Sequence, residues 1–261
     1  MRAALEHGAS FSFALRTRRA GGSDLGEVVR MLDVAGVELL TVGSDAFREF
    51  GETETPQGIL GVAREPESAL PLGSDSGGQA SETGATAEQD GREPSTEVRV
   101  VILDGIQDPG NAGTLVRTSV AMGAHGILVL SGTVDPWNAK AVRASAGLIF
   151  RLPPFRLSWD EARSWAARMK LALLVAHQEG RDVRDWQRAG GTPAHRRSGW
   201  ALVLGNEGSG PRPEVVRDAE TLLAVPLPSG VESLNVATAG AILLWSLGPG
   251  SEAASPRRRD P

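Results

Sequence analysis

Cysteine is absent from the 261-residue chain, and lysine nearly so. Without a thiol there is no disulfide, no thiolate zinc site and no cysteine nucleophile. Lys140 and Lys170 are the two lysines among 27 basic residues, a skew that codon bias toward arginine explains without invoking a partner. No apolar run approaches the ~20 residues that span a bilayer. The opening stretch MRAALEHGASFSFALRTRRA lacks the apolar core and cleavage site of a signal peptide, so the expectation is a cytoplasmic protein with no membrane partner. Missing too are a G-x-G-x-x-G after a strand and a G-x-x-x-x-G-K-[ST], which removes the familiar nucleotide sites. His7, His177 and His195 have no second ligand at metal spacing, and no metal is expected.

The composition is that of an ordinary globular protein, 41% hydrophobic and 23% charged. The formal charge of -5 is unevenly spread: Glu65 to Glu97 holds eight acids against the single base Arg92. That segment is rich in Gly, Ser, Ala, Thr, Glu and Pro and buries too little apolar surface to offset ordering its backbone. Residues 66–97 therefore read as an acidic linker between a small N-terminal domain, 1–65, and a larger domain, 98–248. A tail, 249–261, carries Arg257, Arg258 and Arg259 and reads as solvated.

In the larger domain, apolar strands at Val98–Leu103, Gly126–Leu130, Leu171–Ala176, Trp200–Leu204 and Thr221–Val225 alternate with helices at Ala112–Met122, Trp159–Met169 and Ala237–Trp245. The last of these reads as fully buried. Continuous apolar strands separated by helices predict an α/β fold with a parallel sheet covered on both faces. Ligands of such sheets sit beyond the carboxyl ends of the strands, which directs attention to three loops.

The first loop, LDGIQDPGNAG, turns at Pro109-Gly110 and offers Asn111 as helix cap, with Arg117 six residues on. Taken alone, that is a cap and a surface arginine. In the second, LVLGNEGSG, three glycines (205, 208 and 210) free the backbone for close approach and positive φ, and they flank Glu207. A flexible turn with a solvated glutamate is a serious competitor. The third, VPLPSGVESLN, puts a polar island of Glu232, Ser233 and Asn235 at the mouth of a helix that needs a single cap.

Taken in order, DPGNAGTLVRTSVAMGAHG, LVLGNEGSG and VPLPSGVESLNVATAGAILL closely resemble the three motifs of the SpoU (TrmH-like) family of RNA ribose 2′-O-methyltransferases, within the SPOUT superfamily. DPWNAKAVRASAGLIFRLP looks like the family's intervening segment. The resemblance covers roughly Val98 to Leu247 and implies an α/β fold with a deep C-terminal trefoil knot, a class of topology rare in proteins. It also implies S-adenosylmethionine held largely by backbone groups at Leu204, Gly205, Val225, Leu227 and Leu234, and a homodimer with the site near the interface.

The same resemblance assigns catalysis to Arg117, with Asn111, Glu207, Ser233 and Asn235 around it, and RNA contacts to Arg117, Arg143 and Glu207. A guanidinium stays protonated below a pKa of ~12, so two roles stand open for Arg117. It is the base, strongly shifted, or it stabilises the alkoxide and phosphate while another group takes the proton. For Arg143 a structural ion pair competes with substrate contact. ETPQGILGVA, after VVRMLDVAGVELLTVGSDAFREF, resembles the second half of the family's small ribosomal-protein-like RNA-binding domain; the first half is not recognisable in residues 1–24, which leaves that α+β domain shortened or diverged. The substrate implied is ribosomal RNA, with a tRNA methyltransferase or a non-catalytic RNA-binding relative as alternatives.

Overall fold

Five consecutive buried apolar residues, Trp200–Leu204, mark what the sheet of the larger unit is made of: strands with no solvent face. In the computed structural model, which describes residues 1–18, 23–50, 58–71, 97–191 and 198–248, the strands are β4 (Val98–Asp104), β5 (Gly126–Leu130), β6 (Phe155–Leu157), β7 (Leu171–Asp182), β8 (Gly199–Gly205) and β9 (Thr221–Ala224). All pair in parallel, in the order β6-β5-β4-β8-β7-β9. Every connection must then cross over a face. The helices on these connections are α4 (Pro109–Ala121), α5 (Ala139–Ala144), α6 (Trp159–Arg168), α7 (Val183–Arg188) and α8 (Pro213–Asp218), and α9 (Val236–Leu247) follows the last strand.

The two faces differ in their cover. Val100, Ile102, Leu128, Leu130, Val175 and Val203 pack against Trp159, Ala162, Trp165 and Val215 of α6 and α8. On the other face, Leu204 meets Leu115 of α4 around Gly240 of α9, where a Cβ would fall 2.6 Å from Leu115 and 2.9 Å from Leu204. Small residues thus let α9 close onto α4 and the sheet. α6 carries a complete capping box at Ser158 and Glu161, with acids in its first turn and Arg168 in its last, which favours it by local electrostatics.

The N-terminal unit comprises residues 1–67 together with 146–151. It contains α1 (Arg2–Glu6), β1 (Phe11–Thr17), α2 (Ser23–Val34), β2 (Leu39–Val42), α3 (Ser44–Phe50) and β3 (Ile59–Ala63), with the sheet order β2-β1-β3. Ala14, Val28 and Leu32 form its small core.

Several expectations need correction. Residues 1–24 do hold a leading strand, β1, that the polar-apolar mixture FSFALRT hid. β7 runs six residues past Ala176 and shifts register between Ala176 and Arg181 where it pairs with β9; Gly180 makes room for the backbone of Leu222 and Leu223 there. The helix read as fully buried, α9, shows an exposed stripe of Thr238, Ile242 and Trp245. Leu70, at the start of the segment read as linker, packs on the larger unit's core. Residues 72–96, the tail with its three arginines, and His195 lie outside the described residues. Among the described residues no helix is long and apolar enough to cross a membrane, and no cluster of metal-binding side chains occurs.

A Cβ at Gly113 of α4 would lie 2.1 Å from the carbonyl oxygen of Ala141 and 2.7 Å from Cβ of Ala144 in α5. Alanine gains ~1 kcal/mol of helix propensity over glycine, whereas overpacking costs ~1–3 kcal/mol. Gly113→Ala is therefore expected to lower stability by about 1 kcal/mol in urea denaturation; a rise would show that α4 and α5 are free to separate.

Candidate functional site

The first loop begins where β4 ends. Gly105 takes φ +74°, a left-handed turn, and its amide donates to Thr133 Oγ1 at 2.8 Å. Asp108, not Asn111, caps α4: its Oδ1 accepts the Asn111 amide at 2.9 Å, and Pro109 supplies the first helical residue. This is the Asp-Pro start that a helix favours, proline having no donor to leave unsatisfied. Lys140 Nζ lies 2.6 Å from Asp108 Oδ2. That bond and the Asn111 amide hold the Asp108 carboxyl below the ordinary aspartate range. Relieved of capping, the Asn111 side chain is available for other contacts.

The second loop is organised from within. Asn206 Oδ1 accepts the Gly208 and Ser209 amides, each at 2.9 Å, and its Nδ2 donates to the Gly105 carbonyl at 2.8 Å. Reciprocal backbone bonds between Asn206 and Gly210 close the turn, and of the three glycines Gly210 alone takes positive φ. Gly205 is glycine for an internal reason: a Cβ there would fall 2.2 Å from the Pro211 nitrogen. The loop's own return fills that space, correcting the expectation of an open backbone.

Glu207 stands at the tip but is not a free surface carboxylate. Oε2 accepts the Gln107 amide at 3.0 Å, while Oε1 accepts the Asp108 amide at 3.2 Å and Asn111 Nδ2 at 2.9 Å. Burial pushes its carboxyl up, but the bonds from Asn111, Gln107 and Asp108 outweigh that and hold it below the ordinary glutamate range. The third loop joins through Asn235. Its Oδ1 caps α9 by accepting from Ala237 and Thr238, and its Nδ2 donates to Asn111 Oδ1 at 3.0 Å. Glu207, Asn111 and Asn235 thus form one continuous chain of hydrogen bonds across three loops.

Other predicted residues stand apart from that network. Ser233 and Glu232 are exposed, and Arg117 is exposed with no hydrogen bond or ion pair among the described residues. On a helix, six residues advance ~9 Å and turn ~240° from Asn111. Arg117 therefore lies off the stripe of α4 that carries Asn111. Arg143 is exposed on α5. His177 is a local turn element whose Nδ1 accepts the Glu179 amide.

The predicted cofactor positions have a shared character. Leu204 and Gly205 are buried at the end of β8; Val225, Leu227 and Leu234 are half-buried. Between Leu227 and Leu234 one hydrogen bond forms among the described residues, from the Val231 amide to the Pro228 carbonyl. The remaining backbone groups there are unspent, beside an apolar wall. Gln107, Asp108 and Asn206 were missed as site elements; the Asp-Pro helix start was the legible signal for Asp108, while the other two act through backbone contacts that no spacing reveals.

The SpoU rRNA Methylase family model matches residues 98–245. The chain belongs to this family. It is 33% identical over 216 residues to the 23S rRNA (guanosine(2553)-2'-O)-methyltransferase RlmP of Bacillus subtilis, covering 81% of this chain and 73% of that protein. It is 26% identical over 260 residues to the human mitochondrial rRNA methyltransferase 3, covering 80% of this chain but only 57% of that relative. The AdoMet-bound rRNA methyltransferase from Sinorhizobium meliloti superposes with TM-score 0.70 at 25% identity, over 95% of this chain and 84% of that one.

In this family member, Glu207→Gln puts an amide nitrogen where a donor already points, and the expected loss is about 1–2 kcal/mol of stability at pH 7. Because the folded-state pKa is depressed, the wild-type advantage exists above the unfolded value of ~4.3 and fades as pH falls below it. Urea midpoints of the two proteins should converge as the carboxyl becomes protonated in acid, and a gap that persists there would detach the effect from the carboxylate.

Proposed function

We propose that this enzyme transfers a methyl group from S-adenosylmethionine to a ribose 2′-hydroxyl of ribosomal RNA, working as a symmetric homodimer. The observation that carries the reading is the Glu207–Asn111–Asn235 network, which draws all three motif loops into one place. Membership of the family supports the chemistry, and relatives named as rRNA methyltransferases support the substrate.

Leu204, Gly205, Val225, Leu227 and Leu234 hold the cofactor. The unspent backbone from Leu227 to Leu234 fits a ligand recognised through main-chain groups. When bound, the cofactor supplies a methyl group already activated on a sulfonium. The protein's own task is then the hydroxyl: placing it in line and favouring loss of its proton. Asn111 and Asn235, short side chains fixed against each other, set the shape of the pocket, and Glu207 fixes Asn111. Ser233 offers an exposed hydroxyl to the ribose.

Arg117 provides positive charge to the developing alkoxide and the adjoining phosphate. An exposed guanidinium with no carboxylate partner among the described residues suits that role better than that of a base. Standing about 9 Å along α4 from Asn111, it serves the site of a second copy. The stripe of Ile242, 37% exposed, and Trp245, 56% exposed, is an apolar face that a second copy would cover. Arg143 adds an RNA contact on α5, and the N-terminal unit, a three-stranded sheet with three helices, serves as the recognition module.

A trefoil knot completes the proposal. After β8, in the middle of the sheet, the chain runs to β9 at the edge and returns to lay α9 against α4. That return carries the C-terminal helix back over the sheet, which is compatible with a knotted path.

With methyl-labelled cofactor and ribosomal RNA, Arg117→Ala should keep its cofactor affinity by calorimetry and lose transfer by a factor of ~10² or more. Equal transfer in both proteins would remove Arg117 from the mechanism, and transfer to tRNA alone would correct the substrate. Mixing inactive Arg117→Ala with inactive Asn235→Ala should restore about a quarter of wild-type activity, since half the dimers are mixed and each has one intact site. No recovery would mean that each chain builds its site alone.

A further inference from the structure

We infer that Asp104 and Arg212 form a clamp that sets where Glu207 stands, which makes both of them positioning residues for the proposed transfer; the inference rests on that reading of the site. Asp104 ends β4, and its side chain is wholly buried. Its Oδ2 accepts the Arg212 amide at 2.9 Å and its Oδ1 accepts Arg212 Nε at 2.6 Å. In the ladder, Asp104 stands opposite Gly205. One residue therefore meets the glycine loop at both ends: its backbone faces the first residue, Gly205, and its carboxylate grips Arg212, just beyond Pro211. The Asn206–Gly210 backbone pair closes the turn between, and Glu207 is carried at its tip.

Stability alone gives a poor account of this pair. Burying the Asp104 carboxylate beside a part-exposed arginine carries a desolvation cost that apolar packing would avoid, and Arg212 Nη2 is buried with no hydrogen-bond partner among the described residues. The two directional bonds, one from the Arg212 backbone amide and one from its Nε, do however hold the loop in one position that an apolar contact would leave free to slide. The result is that Glu207 reaches Gln107, Asp108 and Asn111 together. Neither Asp104 nor Arg212 hydrogen-bonds to Asn111 or Asn235 among the described residues, so their influence on the site passes through Glu207.

A double-mutant cycle on the full chain tests this, using wild type, Asp104→Asn, Glu207→Gln and the pair, with labelled cofactor and ribosomal RNA. Asp104→Asn should lower kcat about tenfold or more, at a temperature where it is folded, with less than about a threefold change in the KM for RNA. Adding Glu207→Gln should slow the enzyme by no more than about twofold further, because both changes act through one loop. Losses that multiply would overturn the clamp. Should Asp104→Asn fail to fold, Arg212→Lys takes its place in the cycle: it keeps the charge and the backbone bond but loses the Nε bond, and the same non-additivity is required of it. A wild type that transfers no methyl group to any RNA would sink the proposed function and not the clamp. The same cycle read in thermal midpoints then decides, with non-additive shifts supporting the clamp and additive ones overturning it.

Discussion

One carboxylate holds the site together. Glu207 accepts from two backbone amides at the start of α4 and from the Asn111 side chain. The first amides of a helix have no partner within it, and the positive end of the helix dipole lies there. A negative group from another loop is therefore well placed at that position, and its placement aligns Asn111 with Asn235. Remove the charge and the chain of side-chain bonds from the glycine loop through Asn111 to Asn235 is weakened at its first link.

The polar island at the mouth of α9 has the same logic. Capping takes only the oxygen of an asparagine side chain, which here accepts from Ala237 and Thr238. Serine or aspartate would cap as well but has no amide to spare. Asn235 uses its Nδ2 for Asn111, so one residue both starts a helix and ties it to another. Asp108 divides its oxygens similarly, one for the Asn111 amide and one for Lys140.

Beneath the loops, the parallel sheet does the positioning. β4 and β8 are neighbours in register, so the loops at their carboxyl ends begin side by side. Gly113 and Gly240 let α5 and α9 approach α4 closely. Membership of the SpoU family fits this arrangement, in which loops far apart in sequence meet at one end of one sheet.

Strands β4, β5 and β8 were legible because each is a short apolar run with both faces buried, and α6 because charge and periodicity agree along it. β1 was not, since FSFALRT alternates imperfectly, and α9 was misjudged because composition reports hydrophobicity without saying which face a partner covers. The candidate site was readable as three motifs, but the partner of Glu207 and the true cap of α4 were not. Residue types and their local spacing determined the elements, their helix and strand character and the identity of the polar groups. Only the tertiary structure decided which groups meet, because hydrogen bonds between residues 96 or 124 positions apart depend on sheet register and helix rotation, and neither is encoded in any local stretch of chain.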